Sequence, residues 1–194
     1  ESKGLARVTE SIRGFLKDPV YIASGEVIEK RLDLELGQTV PLLFERTYRS
    51  GSPHTGLLGH GWHDSWSEVA TEGRTEQGDT HVTLTLAQGY DIDFTFGIGT
   101  TVVYCAEYPE FKLVKRHNGF HLWHRDSQTW RAFTVKQGDQ LLLSSITDNH
   151  HNRINFLRDP KGYLRKIRHS DGIELLLVWQ GEFLRQIQRI DTGQ

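Results

Sequence analysis

The residues with the most evident capacity for chemistry are histidines. Ten occur in the 194-residue chain, and three pairs lie close together: His60 and His63 around Trp62, His121 and His124 around Trp123, and the adjacent His150 and His151. Imidazoles so spaced hold zinc or copper when three or four ligands converge and outer groups orient them. His60-x-x-His63 falls in a glycine-rich turn and lacks the glutamate of a helical metalloprotease motif, so no metal is expected. Asp91 and Asp93 project together from an alternating run, as a carboxylate pair for acid–base work would. The charged face of such a strand is more simply its wetted face. Cys105, in the apolar run Val102-Val103-Tyr104-Cys105-Ala106, reads as a small buried residue. One thiol makes neither an intramolecular disulfide nor a cysteine zinc site. There is no Ser-His-Asp ordering, nucleotide loop or nucleophile elbow. The expectation is a chain without catalytic, cofactor-binding or metal-binding residues.

The aromatic residues offer binding instead. Trp62, Trp66, Trp123, Trp130 and Trp179 are able to stack on sugars, as aromatics on a β-sheet do. They fall along the chain rather than in one loop, which favours packing within a sheet over a carbohydrate-binding or adhesion surface.

The elements that must position these residues are strands. Leu42, Phe44, Arg46 and Tyr48 alternate at a period of two. Runs over Ser65–Thr71, His81–Ala87 and Tyr90–Phe96 do the same, with Tyr90, Ile92, Phe94 and Phe96 expected on one face. Glycine-rich punctuation separates them, and no long helical pattern appears, so the fold class is all-β. Only the leader over 1–16 has helical spacing, through Leu5, Val8, Ile12, Phe15 and Leu16, weakened by Gly4 and Gly14. The last third repeats itself. Ile146, Ile167 and Ile187 stand 21 and 20 residues apart, Ile154 and Phe156 align with Leu175 and Leu177, and Leu164 aligns with Leu184. Turns are expected at Asp159-Pro160-Lys161-Gly162 and Ser170-Asp171-Gly172. Successive antiparallel hairpins of this kind stack into a curved, extended sheet. The expected organisation is a leader over 1–16, one domain over 17–110, and hairpin repeats over 111–194. The absence of Met, the start at Glu1 and a repeat cut in mid-pattern predict a piece of a longer chain.

Net charge is −2, with 23 basic and 25 acidic residues, which removes the electrostatic footprint of a general nucleic-acid binder. No apolar run approaches the roughly 20 residues of a membrane-spanning helix.

The unit Ile146-x-Asp148…Asn152-Arg153-Ile154-x-Phe156…Asp159-Pro160-x-Gly162-x-Leu164-x-x-Ile167 resembles the YD repeats of the Rhs (rearrangement hot spot) family. The naming tyrosine is replaced by Arg158, and by Trp179 one unit later. Upstream, Asp18-Pro19-Val20, Ser24-Gly25-Glu26, Pro41-Leu42, Phe44-x-Arg46-x-Tyr48-x-Ser50 and Gly59-x-Gly61-Trp62 resemble the domain that opens the Rhs shell in bacterial toxins. This implies a non-catalytic piece of a hollow β-shell that encloses a C-terminal toxin, in many relatives an effector of type VI secretion. The implied partners are the rest of the shell, its toxin, spike or adaptor proteins, and a second chain at an exposed strand edge. The implied location is the bacterial cytoplasm before export. The family's self-cleavage motif also begins Asp-Pro-x-Gly. Here Tyr163-Leu164-Arg165 follows, so Asp159 is expected to build a turn and do no catalysis. A His-based or carboxylate-based hydrolase is the remaining alternative.

Overall fold

The computed structural model describes residues 20–21 and 25–191, and the expected helical leader over 1–16 lies outside them. Every regular element described is a strand. The first six are β1 (Val20–Tyr21), β2 (Glu26–Leu36), β3 (Leu42–Arg49), β4 (Thr55–Gly56), β5 (Gly59–His60) and β6 (Trp62–Asp64). Four of them form an antiparallel sheet in the order β1-β2-β3-β6, and β4 and β5 make a small hairpin beside it. In β3 Leu42 and Phe44 are buried and Leu43 and Glu45 half-covered, as the alternation predicts, but the pattern breaks beyond them: Thr47 is buried while Arg46 and Tyr48 are half-covered.

Twelve strands make the second sheet: β7 (Val69–Arg74), β8 (Thr80–Thr85), β9 (Asp91–Phe96), β10 (Val102–Tyr104), β11 (Phe111–Arg116), β12 (Gly119–His124), β13 (Thr129–Gln137), β14 (Gln140–Asp148), β15 (Arg153–Arg158), β16 (Leu164–His169), β17 (Ile173–Gln180) and β18 (Phe183–Asp191). All its pairings are antiparallel. The sheet forks at β14. Gln140–Leu142 pairs with β7, whereas Ser145–Thr147 pairs with β15. Buried Leu143 sits between the two branches.

One branch curls. A turn over 97–101 carries β9 into β10 beside it, so the run β9-β8-β7-β14-β13-β12-β11-β10 bends back towards its own start. Its interior holds Val82, Leu84, Phe94, Leu113, Phe120, Leu122 and Phe133, all buried. Phe96 and Phe120 meet across it with ring centroids 5.9 Å apart. Each fully buried side chain of this size contributes about 1.5–3 kcal/mol gross, so the curl has its own core. The other branch, β15 to β18, runs outward as the repeated hairpins. Ile154, Phe156, Leu164, Ile167, Leu175 and Leu177 are buried on one face, in the order the 20–21-residue repeat gives.

Two local expectations need correction. Ser65–Glu68 is not strand; the strand begins at Val69. The Asp64 carboxylate accepts the Trp66 N–H at 2.9 Å, a local side-chain turn that competes with a ladder. Tyr90 lies outside β9 and is not buried as Ile92 is. It belongs to the preceding turn, is 36% exposed, and stacks on Tyr108 at 6.2 Å.

Candidate functional site

The contacts that set this architecture lie along a seam between the small sheet and the outgoing hairpins. Arg158 ends β15, in the position where the repeat pattern has tyrosine. Its guanidinium donates to Trp66 O at 2.8 Å, Gly162 O at 3.2 Å and Leu143 O at 3.4 Å. Those carbonyls belong to the link between the sheets, the next turn and the fork strand. A planar guanidinium with five donors is suited to bridging several backbone segments, which a phenol is not. Burial lowers the Arg158 pKa to about 10, while the Asp64 carboxylate opposes that shift.

The link itself carries two buried acids around buried Trp66. The Asp64 side chain is pushed up to about 6 by burial, against the pull of the Ser67 side chain, the Trp66 amide and Arg158. Its Oδ2 has no hydrogen-bond partner among the described residues. Glu68 is also raised by burial, opposed by Arg131, whose Nε stands 3.4 Å away. Trp66 donates Nε1–H to Leu43 O at 2.7 Å and packs on Phe44 at 4.4 Å.

Farther along, the repeat turns grip the small sheet directly. His169 Nε2 donates to Val40 O at 2.7 Å, and its Nδ1 accepts the Asp171 N–H at 2.9 Å, which assigns the proton to Nε2. Asp171 accepts from Gln38 N at 2.6 Å and Thr39 Oγ1 at 2.8 Å. The Gln38 amide bond, more than any other contact, holds its carboxyl below the ordinary range. Leu184 N donates to Leu57 O at 2.8 Å. One exposed turn thus supplies an anion to the backbone amides of Gln38 and Thr39, more than 130 positions away.

The residues singled out in the sequence are mostly kept apart. His60 is exposed and His63 buried. His63 meets Ser52 and His54, neither of which the sequence pattern marked. Among the described residues no three His, Cys, Asp or Glu side chains converge as a metal site. His124 binds Ser127, and His121 faces Asn118. Asp91 and Asp93 are exposed on β9, and each accepts from its own cross-strand threonine, Thr85 at 2.6 Å and Thr83 at 2.7 Å. Cys105 is buried. Asp159 caps its own turn, accepting Lys161 N and Tyr163 N at 2.9 and 3.1 Å. Trp179, in the second tyrosine position, donates to Leu164 O at 2.8 Å. Trp62 packs on Tyr48 under Arg46. Trp123 and Trp130 are a half-buried cross-strand pair, 5.1 Å apart, with Lys112 over them.

The described residues thus form an all-β protein, a forked antiparallel sheet that continues as successive hairpins with a smaller antiparallel sheet held against it. The opening part, residues 17–94, matches the family described as "Domain of unknown function (DUF6531)". Over all 194 residues the chain is 68% identical to the probable deoxyribonuclease RhsB and 69% identical to the probable deoxyribonuclease RhsA, both of Dickeya dadantii (strain 3937). It spans about 13% of the length of these relatives. The chain is therefore similar throughout to the corresponding segment of two Rhs proteins.

Proposed function

We propose that this chain is a structural segment of an Rhs toxin shell, in which residues 17–110 open the wall and 111–194 begin its spiral of hairpins. The observation that carries the reading is the Arg158 clamp. Both repeats lack the tyrosine of the pattern, and the arginine that replaces it in the first ties the link, the fork strand and the next turn together. Such a lock suits the start of an array, because stacked repeats otherwise hold only their neighbours and need a distinct end unit. The wall isolates a cargo by hydrogen bonding every strand to the next, which leaves no gap for a protease or a substrate.

The relatives named as probable deoxyribonucleases suggest a nuclease cargo. We assign that activity to a part of such a protein other than this segment, which supplies containment and needs no turnover of its own. Export from a bacterial cytoplasm by a type VI system, with spike or adaptor proteins as partners, belongs to the same proposal.

Hydrogen exchange tests it. At the β18 edge, half the amides point away from β17. In a full-length protein carrying this segment they should exchange at least about a hundredfold more slowly than in the 194-residue chain, since ladder amides open only with their structural unit. Equal exchange in both would mean that no further strand continues the wall there.

A further inference from the structure

Beside the seam, the loop after β3 and the tip of the β8–β9 hairpin enclose a cleft of about 640 Å³ lined by Glu26, Arg49, Ser52, His54, His63 and Asp91, among others. None of the seam's bonds uses it. Ser52 Oγ lies 2.8 Å from His63 Nε2, within the reach at which an imidazole takes a hydroxyl proton. The same oxygen accepts the His54 N–H at 3.2 Å, and in the tautomer that carries the ring proton on Nδ1 the hydroxyl donates to Nε2.

The imidazole is held from two sides. The His54 ring stacks on it at 4.4 Å and 16°. Gly89 approaches so closely that a side chain there would run into the His63 ring. Burial first, then the charges of His54 and Arg49, push His63 down to about 4, against the pull of Asp91 and Glu26. It is therefore a neutral base throughout the neutral range. Arg49, ion-paired with Glu26 at 2.7 Å and donating to Gly89 O at 3.3 Å, fixes one cation beside the pair.

We propose that Ser52 is a nucleophile activated by His63 and that the cleft admits small activated esters of carboxylic or phosphorus acids. Ser52 Oγ forms a bond to the acyl carbon or phosphorus as its proton passes to His63 Nε2. The bond to the leaving group then breaks, and that group departs with the electron pair and takes the proton from His63. Nothing is oxidised or reduced, and the product is an ester of Ser52. The inference is independent of the shell reading, because it concerns reactivity and not enclosure.

The test is reaction of the 194-residue chain with a fluorophosphonate, the adduct being mapped by mass spectrometry. Ser52 should label at least about tenfold faster than Ser50 or Ser65, a modest share of what a positioned base supplies. Both comparison hydroxyls have other partners, Val27 N for Ser50 and Leu43 O for Ser65. Heat-denatured protein should lose the preference. The rate should stay level between about pH 5.5 and 8, because the base is already unprotonated there. His63→Gln should slow Ser52 labelling to the rate of the other serines. Should that variant unfold, the pH profile of the unaltered protein decides. A rate rising about tenfold per pH unit would mean attack driven by hydroxide and not by His63. That profile, absence of an adduct at Ser52, equal labelling of all serines, or full labelling in folded His63→Gln would each overturn the proposal.

Discussion

Asp64 is a buried carboxyl whose environment opposes its ordinary ionisation. Its folded pKa of about 6 lies above that of the unfolded chain. As pH rises from about 4 to 6 the unfolded chain releases a proton that the folded chain keeps, so stability falls, and the loss is complete above about 6. Glu68, also raised, acts in the same direction. Asp171 and Asp148, held low by their hydrogen bonds, act in the opposite one: their contribution is present above about pH 4 and is lost as pH falls through their folded values. His63, pushed down to about 4, and His54, His121 and His124, also lowered by burial, gain stability as pH rises through the same range, so the Asp64 contribution is read from a variant and not from the melting temperature of the unaltered chain alone. Asp64→Asn keeps the oxygen that accepts the Trp66 amide and removes the buried charge. At pH 7 it should stabilise the chain by about 2–3 kcal/mol, the equivalent of the shift. A thermal melt of both proteins at about pH 5 and 7 checks this, and an equal pH dependence in the two would assign the effect elsewhere.

Hairpins are the scale at which sequence and structure agree best. A strand's period of two and a turn's need for glycine are local properties, so Ile154 and Phe156 follow from the pattern, whereas Leu164 and Ile167, three positions apart, are both buried only because the register shifts between Leu157 and Arg158. The turn at Asp159–Gly162 likewise follows from its residues, with Gly162 at φ 86° and its N–H donating to Asp159 O at 2.9 Å. Local rules failed at Ser65–Glu68, where a carboxylate turn displaced the strand that the alternation suggested. The β11–β12 hairpin gives a prediction at this scale. Gly119 has φ 136°, and a Cβ there would collide with Phe133 O on the neighbouring strand, whereas Gly73 faces open space. Gly119→Ala should cost at least about 2 kcal/mol through backbone strain and a displaced ladder, and Gly73→Ala should stay within about 0.5 kcal/mol. Urea denaturation of the two variants distinguishes them, and equal midpoints would contradict this account of the hairpin.

The whole molecule depends on contacts that no local pattern contains. Arg158 reaches Trp66 across 92 positions and Asp171 reaches Gln38 across 133. Their acceptors and donors are mostly backbone groups, which every residue has and which therefore leave no mark in the sequence. The one visible sign was a departure, arginine where the repeat has tyrosine. The Ser52–His63 contact was hidden for a related reason: it depends on how a loop folds back over β6, not on spacing along a strand. The fork at β14 was equally unreadable, because one strand serves two partners with different halves. Together these long contacts fasten the small sheet to the beginning of the hairpin array, as the proposed role of an end unit requires.

That claim is tested most directly by the protease half-life of the C-terminal cargo in a full-length protein carrying this segment, measured with and without residues 25–191. The account predicts a cargo that resists digestion in the intact protein and is cut at least about tenfold faster once the segment is removed, as cleavage follows the population of accessible chain. A cargo equally protected in both proteins would contradict it.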